Sequence, residues 1–154
     1  MGGGKSSPFF IYIPFDFFYI YRGKLIKYMA AGKYSFVVEQ GATFNIQLDW
    51  KDGDSNPIDL AGYHARMQLR PTIESSEVYL SLSSSLDVSG SGIFLSGSTN
   101  DLPLASGSIG IYISANTSQN LNFNEAYYDL EMVNGANVTR LIEGKVKLSK
   151  NVTR

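Results

Sequence analysis

Two stretches near the middle of the chain alternate between apolar and polar residues. They cover residues 44–50 and 63–70. Because successive side chains of a β-strand point to opposite faces, this period of two predicts two strands, each with one buried and one solvated face. The segment between them, KDGDSNPIDL, is rich in residues that favour turns. The pattern therefore predicts an antiparallel pair of strands on which the rest of the chain packs.

Similar short apolar runs recur along the chain and predict about eight strands. Their spacing of about ten residues is typical of an all-β antiparallel β-sandwich. SANTSQNLNF predicts one short helix capped by Ser114 or Asn116. Asn134-Gly135 predicts a hairpin turn, and Gly144 a bulge or bend. The residues expected to face the core are Tyr34, Phe36, Val38, Phe44, Ile46, Leu48, Trp50, Tyr63, Ala65, Met67, Leu69, Val78, Leu80, Leu82, Ile109, Ile111, Ile113, Tyr128, Leu130, Met132, Leu141, Val146 and Leu148.

The first 28 residues do not follow this pattern. After MGGGKSSP comes the aromatic run PFFIYIPFDFFYIY. A transmembrane helix needs about 20 apolar residues, and this run is shorter and broken by Pro14 and Asp16. The basic residues Arg22, Lys24 and Lys27 argue against a signal peptide cleaved after them. We therefore predict no membrane span and an N-terminal arm, residues 1–28, that precedes a sandwich domain at 29–154.

An extended aromatic arm can add as a strand to a neighbouring sheet or fill a partner's groove. The alternative is that Met29 is the natural start and that residues 1–28 form an extension folding onto the same domain. The aromatic residues expected to dock a partner are Phe9, Phe10, Tyr12, Phe15, Phe17, Phe18, Tyr19 and Tyr21.

Composition narrows the function classes. The chain has no cysteine, which excludes a disulfide-stapled module and a thiolate metal site and fits assembly in a cytosol. Residues 34–139 carry twelve acids against Lys51, Arg66 and Arg70, whereas both ends are basic. An acidic body argues against nucleic-acid binding, which needs a broad basic face. Such segregated charge can favour head-to-tail contact between identical subunits; the alternative is that it arises by chance.

Residues that carry catalytic chemistry are few. His64, the single histidine, falls on the outward phase of a strand and has no nameable partner, so we predict a surface residue. Asp52, Asp54 and Asn56 have the spacing that opens a calcium loop, but Pro57 replaces the required glycine, so we predict a solvated turn. No catalytic motif, cofactor or metal ligand set is identified, and no enzymatic activity is expected.

Seven pieces of the chain, read in order, carry a resemblance. They are VEQGATF, DW before a turn, PIDLAGY, ARMQLR, ISAxxSQxL, YYDLEM and VTRLIEGKVKLS. Together they resemble the immunoglobulin-like domain at the N-terminus of bacteriophage baseplate upper proteins and related tail components, over residues 32–154. The resemblance implies an immunoglobulin-like sandwich and a structural role in the virion, assembled in the host cytoplasm.

The resemblance also implies partners: other virion proteins, and further copies of the chain in a symmetric assembly. Larger members of the family continue into receptor-binding or fibre domains, so an adaptor in the tail, baseplate or neck is expected here. Two alternatives remain. One is a capsid decoration protein, and the other is a carbohydrate-binding domain at the host surface. In the second case Tyr79, Tyr112 and Tyr127, predicted to point outward, would form the site or else be ordinary surface pairs.

Overall fold

The alternating segments form strands in a computed structural model of the protein. The structure describes residues 31–85 and 90–153 in full, and the backbone of three earlier strands. The strands and the helix are β1 (Phe10–Tyr12), β2 (Phe17–Tyr21), β3 (Lys24–Tyr28), β4 (Gly32–Lys33), β5 (Phe36–Glu39), β6 (Phe44–Asp49), β7 (His64–Arg70), β8 (Leu80–Ser83), β9 (Gly92–Phe94), β10 (Ser108–Ile113), α1 (Ala115–Gln119), β11 (Glu125–Asn134) and β12 (Asn137–Ser149); a single 3-10 turn, Leu104–Ser106, precedes β10.

Two sheets face each other across one core. Sheet I has the order β1-β6-β10-β9, and sheet II has the order β4-β12-β11-β7-β8, with β5 also paired to β12. Neighbours are antiparallel except where β1 meets β6 and where β4 and β5 meet β12. From β6 onward this is the strand order of the immunoglobulin fold, with one added strand, β8, beside β7. The predicted all-β sandwich is confirmed. The predicted pairing of the strands at 44–50 and 63–70 is wrong, because the loop between them crosses from one sheet to the other and leaves β6 in sheet I and β7 in sheet II.

The core lies between the inner faces of the two sheets. The alternating positions of β6, β7, β10 and β11 are almost fully shielded from solvent. Trp50 closes one end of the core, where its ring meets the ring of Tyr63 edge-on at 5.4 Å between centroids. Fully buried side chains from both sheets include Leu48, Met67, Leu69, Ile109, Ile111, Ile113, Leu130 and Met132.

Three inward or outward assignments were wrong. Val78 was expected in the core but is 38% exposed, because β8 begins only at Leu80. Its neighbour Tyr79 turns inward instead, and its ring stacks on that of Phe123 at 5.0 Å. Gln47 was expected to face water but is buried.

The burial of Gln47 has a local cause. The loop between β9 and β10 folds back over the outer side of sheet I, so that a β-carbon on Gly110 would lie 2.7 Å from the carbonyl oxygen of Gly97. In this loop the backbone N–H and the hydroxyl of Ser98 both donate to Gln47 Oε1, each at 3.0 Å. The amide is therefore covered and hydrogen-bonded at once, as a buried polar group requires.

The bulge in β12 lies at Leu141 and not, as predicted, at Gly144. Leu130 pairs with Ile142 and Glu131 with Arg140, which leaves Leu141 as the extra residue. Gly144 has a different role, because a β-carbon there would lie 2.8 Å from the carbonyl carbon of Tyr34 and closer still to its oxygen. The chain between β4 and β5 crosses β12 at this point, and only glycine leaves room for it.

The predicted hairpin turn and helix cap are confirmed, but the turn lies one residue later than the Asn134-Gly135 pair indicated. Asn134 pairs with Asn137, so the two-residue turn consists of Gly135 and Ala136. Gly135 has a φ of +58° at the first central position, as type II′ hairpin turns require. Ser114 caps α1, and its Oγ accepts from the Thr117 N–H at 3.2 Å.

The N-terminal strands differ in their pairing. β1 adds in parallel to the edge of β6 at residues 47–49 of the same chain. β2 and β3 pair antiparallel with each other as a separate two-stranded sheet, here called the N-terminal hairpin. No helix among the described residues is long and apolar enough to cross a membrane.

Candidate docking surface

A shallow groove of about 870 Å³ lies on the outer side of sheet II. It exists because the strand alternation that buries Ala65, Met67 and Leu69 turns the intervening residues of β7 outward. The outward residues of β11 and β12 extend the same surface, and β4 and β8 lie at its sides. We call this surface the sheet II groove.

Its side chains are arranged in rows that run across the strands. The register places Arg66 opposite Glu131, and Glu131 opposite Arg140. A guanidinium nitrogen of Arg66 lies 2.7 Å from Glu131, and Arg140 reaches Asp129 at 3.1 Å and Glu143 at 3.2 Å. Such cross-strand pairs orient the side chains, although each exposed pair contributes only about 0–1 kcal/mol to stability.

The charges are layered. The carboxylates of Asp129, Glu131 and Glu143 lie low against the sheet, with side chains 20% to 38% exposed. The cationic side chains paired with them are 51% to 77% exposed and include Lys33, which pairs with Glu143. The surface presented to solvent is therefore mainly cationic, whereas the middle of the chain as a whole is acidic.

Arg70 differs from the other cations of the groove. Its Nε and Nη2 donate to Gln68 Oε1 at 3.1 and 2.6 Å, and its Nη1 donates to the Ser75 carbonyl. These acceptors are neutral, and among the described residues no carboxylate forms a salt bridge with Arg70. The half-buried guanidinium is thus held in one orientation without a counter-charge.

An aromatic residue separates Arg70 from the next cation in its row. Tyr127 pairs with Arg70 on one side and with Lys145 on the other. The Lys145 ammonium lies 5.1 Å from the centre of the Tyr127 ring and 2.7 Å from Glu125 Oε1. The hydrogen bond to Glu125, together with its charge and the contact with Tyr127, raises the pKa of Lys145. Lys145 therefore remains charged throughout the physiological range.

Only part of this surface could be predicted from the sequence. It assigned Arg66 and Arg70 to the outward phase, but it did not reveal that Lys33, Arg140 and Lys145 lie beside them. The hairpin turn was a usable signal, because it sets the β11–β12 register. The bulge then shifts that register by one residue, and this shift is what brings Lys145 opposite Tyr127.

The three tyrosines considered as a carbohydrate site are not brought together. Tyr127 lies on the outer side of sheet II, whereas Tyr112 lies on β10 of sheet I. Tyr79 packs on Phe123, as described above. Since the two sheets face away from each other on their outer sides, Tyr112 and Tyr127 cannot contact one ligand.

The other candidate residues have simple surroundings. His64 is exposed at the start of β7. The carboxylate of Asp52 accepts the backbone N–H groups of Asp54 and Asn56, each at 2.9 Å, which confirms a turn in this loop. Within the described ranges, no group of three or more His, Cys, Asp or Glu residues is placed to hold a metal ion.

The predicted docking aromatics fall in the N-terminal segment. Phe9 and Phe15 lie outside the described residues. The structure gives backbone positions for the rest, with side chains outside its description: Phe10 and Tyr12 on β1, and Phe17, Phe18, Tyr19 and Tyr21 on β2.

Comparison with known proteins adds no assignment. No protein-family model matches the chain, and no curated protein matches it. Function must therefore be inferred from the fold, the sheet II groove and the N-terminal hairpin.

Proposed function

We propose that the protein is a non-enzymatic structural component of a bacteriophage virion. It acts as an adaptor in the tail, baseplate or neck and docks to neighbouring subunits through its sandwich and residues 1–28. Its partners are other virion proteins and further copies of itself in a symmetric assembly. The basis is the resemblance of residues 32–154 to immunoglobulin-like tail domains, together with a fold of the matching class.

The observation that carries the docking role is the N-terminal hairpin. Eight of the ten residues in β2 and β3 are aromatic or aliphatic, yet among the strands that the structure describes these two pair only with each other. A lone two-stranded hairpin is marginally stable in water, and its unpaired edges are templates for further strands. A partner that covers or extends the hairpin resolves both difficulties.

The alternatives have less support. A capsid decoration protein would use the same docking elements and differs in its place on the particle. A carbohydrate-binding domain needs exposed aromatic residues around one concavity, and the separation of Tyr112 from Tyr127 removes the arrangement that motivated it.

Deletion of residues 1–28 tests the proposal. We expect the truncated protein to remain folded, with a cooperative thermal transition, and to be lost from purified particles. A full-length variant, Tyr19→Asp with Ile26→Asp, alters a cross-strand pair of the hairpin and should also be lost. Val152→Ser, at a 95% exposed site in the C-terminal tail, is the control and should be incorporated normally. Normal incorporation of the truncated protein would contradict the proposal.

A further inference from the structure

We propose that the sheet II groove binds the acidic end of a second copy of this chain, so that copies associate head to tail. In this contact Arg70 receives a carboxylate from the loop between β6 and β7 of the neighbouring copy. The inference rests on the proposed docking function and names both the surface and the partner.

The groove is suited to a carboxylate at one place above all. A guanidinium carries five N–H donors in a planar fork, and three of those of Arg70 are used by Gln68 and Ser75. Two donors remain, and the register places Arg70 opposite Tyr127, which is in turn opposite Lys145. Arginine binds carboxylates well in such a fixed orientation because less side-chain freedom is lost on binding.

The acidic end is formed by two loops at one end of the sandwich. The loop between β6 and β7 is held to the loop before β10 by two hydrogen bonds: the Trp50 N–H donates to the Gly107 carbonyl at 2.8 Å, and the Leu60 N–H to the Leu104 carbonyl at 3.0 Å. Asp54, Asp59 and Asp101 are all exposed on these loops. Lys51 is the single cation within residues 50–62 and 96–107.

The loop also has a fixed shape. The Asp52 carboxylate accepts two backbone N–H groups across the turn, and the Asp52 N–H donates to the Asn56 carbonyl at 2.8 Å. A preformed loop loses little conformational freedom on binding, which favours association. The loop therefore presents Asp54 at its tip as a compact acidic projection, of opposite charge to the exposed layer of the groove.

The groove and the acidic end are different surfaces of one molecule. A contact between them is therefore heterologous, and repeated contacts produce a ring or an open chain of copies. This geometry matches a subunit of a symmetric assembly.

Sedimentation velocity of the full-length protein tests the inference. We expect concentration-dependent association at about 0.1 M salt that weakens strongly at about 1 M, where the Debye length falls to roughly 3 Å. Arg70→Glu should weaken association at least about tenfold, since a charged hydrogen bond is lost. Arg70→Gln, which keeps donors without the charge, should weaken it as well. Lys150→Glu is the matched control, because it makes the same charge change on an exposed residue beyond the end of β12 and should leave association unchanged.

A mixing experiment tests whether the groove of one copy binds the acidic end of another. Arg70→Glu has a disabled groove, and the double variant Asp54→Lys/Asp59→Lys has a disabled acidic end. At a concentration where the wild-type protein associates, each variant alone should be mainly monomeric, while their mixture should form a one-to-one dimer and nothing larger. Thermal unfolding of each variant checks that the fold is intact.

Three results would overturn the inference: a wild-type protein that is monomeric at all salt concentrations, equal effects of Arg70→Glu and Lys150→Glu, or a mixture that stays monomeric. A monomeric protein that nevertheless enters particles through its N-terminal segment would leave the proposed function standing. Salt-sensitive head-to-tail association of a protein that is absent from particles would support this inference and contradict the proposed function.

Discussion

Substitution of Gly144 by alanine tests how β4 and β5, which pair with β12 in sheet II, are held in place. The added methyl group would lie 2.8 Å from the carbonyl carbon of Tyr34 and would overlap its oxygen. The obstacle is backbone, so no side-chain rotation can relieve it. The segment between β4 and β5 must therefore move away from β12.

The size of the effect follows from what that movement breaks. The Tyr34 N–H donates to the Glu143 carbonyl at 3.0 Å, and the Tyr128 hydroxyl donates to the Tyr34 carbonyl at 2.8 Å. Each hydrogen bond contributes about 1 kcal/mol, and overpacking a tight site costs about 1–3 kcal/mol. The free energy of unfolding should fall by about 3–5 kcal/mol, a large part of the 5–15 kcal/mol typical of a domain.

Chemical denaturation followed by tyrosine and tryptophan fluorescence measures this change. Gly135→Ala is the control, because no atom lies within 4 Å of the added methyl group there and only its φ of +58° opposes alanine. That strain costs about 1–2 kcal/mol. If Gly144→Ala costs no more than Gly135→Ala, the close approach of Tyr34 to β12 is wrong.

Substitutions at three further positions test other parts of the fold. Burial, with the adjacent Tyr34, raises the pKa of Tyr128 above the ordinary tyrosine value. As the pH rises past about 10, the unfolded chain loses this proton while the folded protein keeps it, so the free energy of unfolding should fall. Urea titrations should show a shallower fall for Tyr128→Phe. Ser114→Ala removes the cap of α1 and should cost about 1 kcal/mol by thermal unfolding, whereas Ser114→Thr should cost less. Gln47→Leu leaves the buried Ser98 N–H without its acceptor and should cost about 1–3 kcal/mol; an unchanged stability would contradict the hydrogen bond.

The inner faces of the sandwich were predictable because burial imposes a strict period of two on each strand. The period fails where the tertiary structure overrides it. At Gln47 a loop distant in sequence covers the outer side of sheet I. In β8 the strand begins later than its apolar residues suggest, and Tyr79 packs inward in place of Val78.

The bulge in β12 is an instructive case. The residues of β12 that face inward change from an odd position at Leu141 to even positions at Val146 and Leu148. The sequence pattern therefore indicated that the alternation shifts by one residue within this strand. Gly144 was assigned the bulge because glycine is the usual marker. The structure uses that glycine for the crossing of Tyr34 and places the extra residue at Leu141.

The groove depends on the same register and was therefore harder to predict. Which cations lie beside Arg70 is set by the hairpin turn and the bulge together. The orientation of Arg70 depends on Gln68 of its own strand and Ser75 of the following loop, and no periodic pattern indicates contacts with a loop carbonyl.

Cryo-electron microscopy of purified particles, with density sought for residues 17–28, shows whether the protein is a docked subunit of the virion. We expect the sandwich in the tail, baseplate or neck, with the N-terminal hairpin in contact with a neighbouring subunit. Absence of the protein from the particles, or a sandwich whose hairpin contacts no neighbour, would refute the adaptor role.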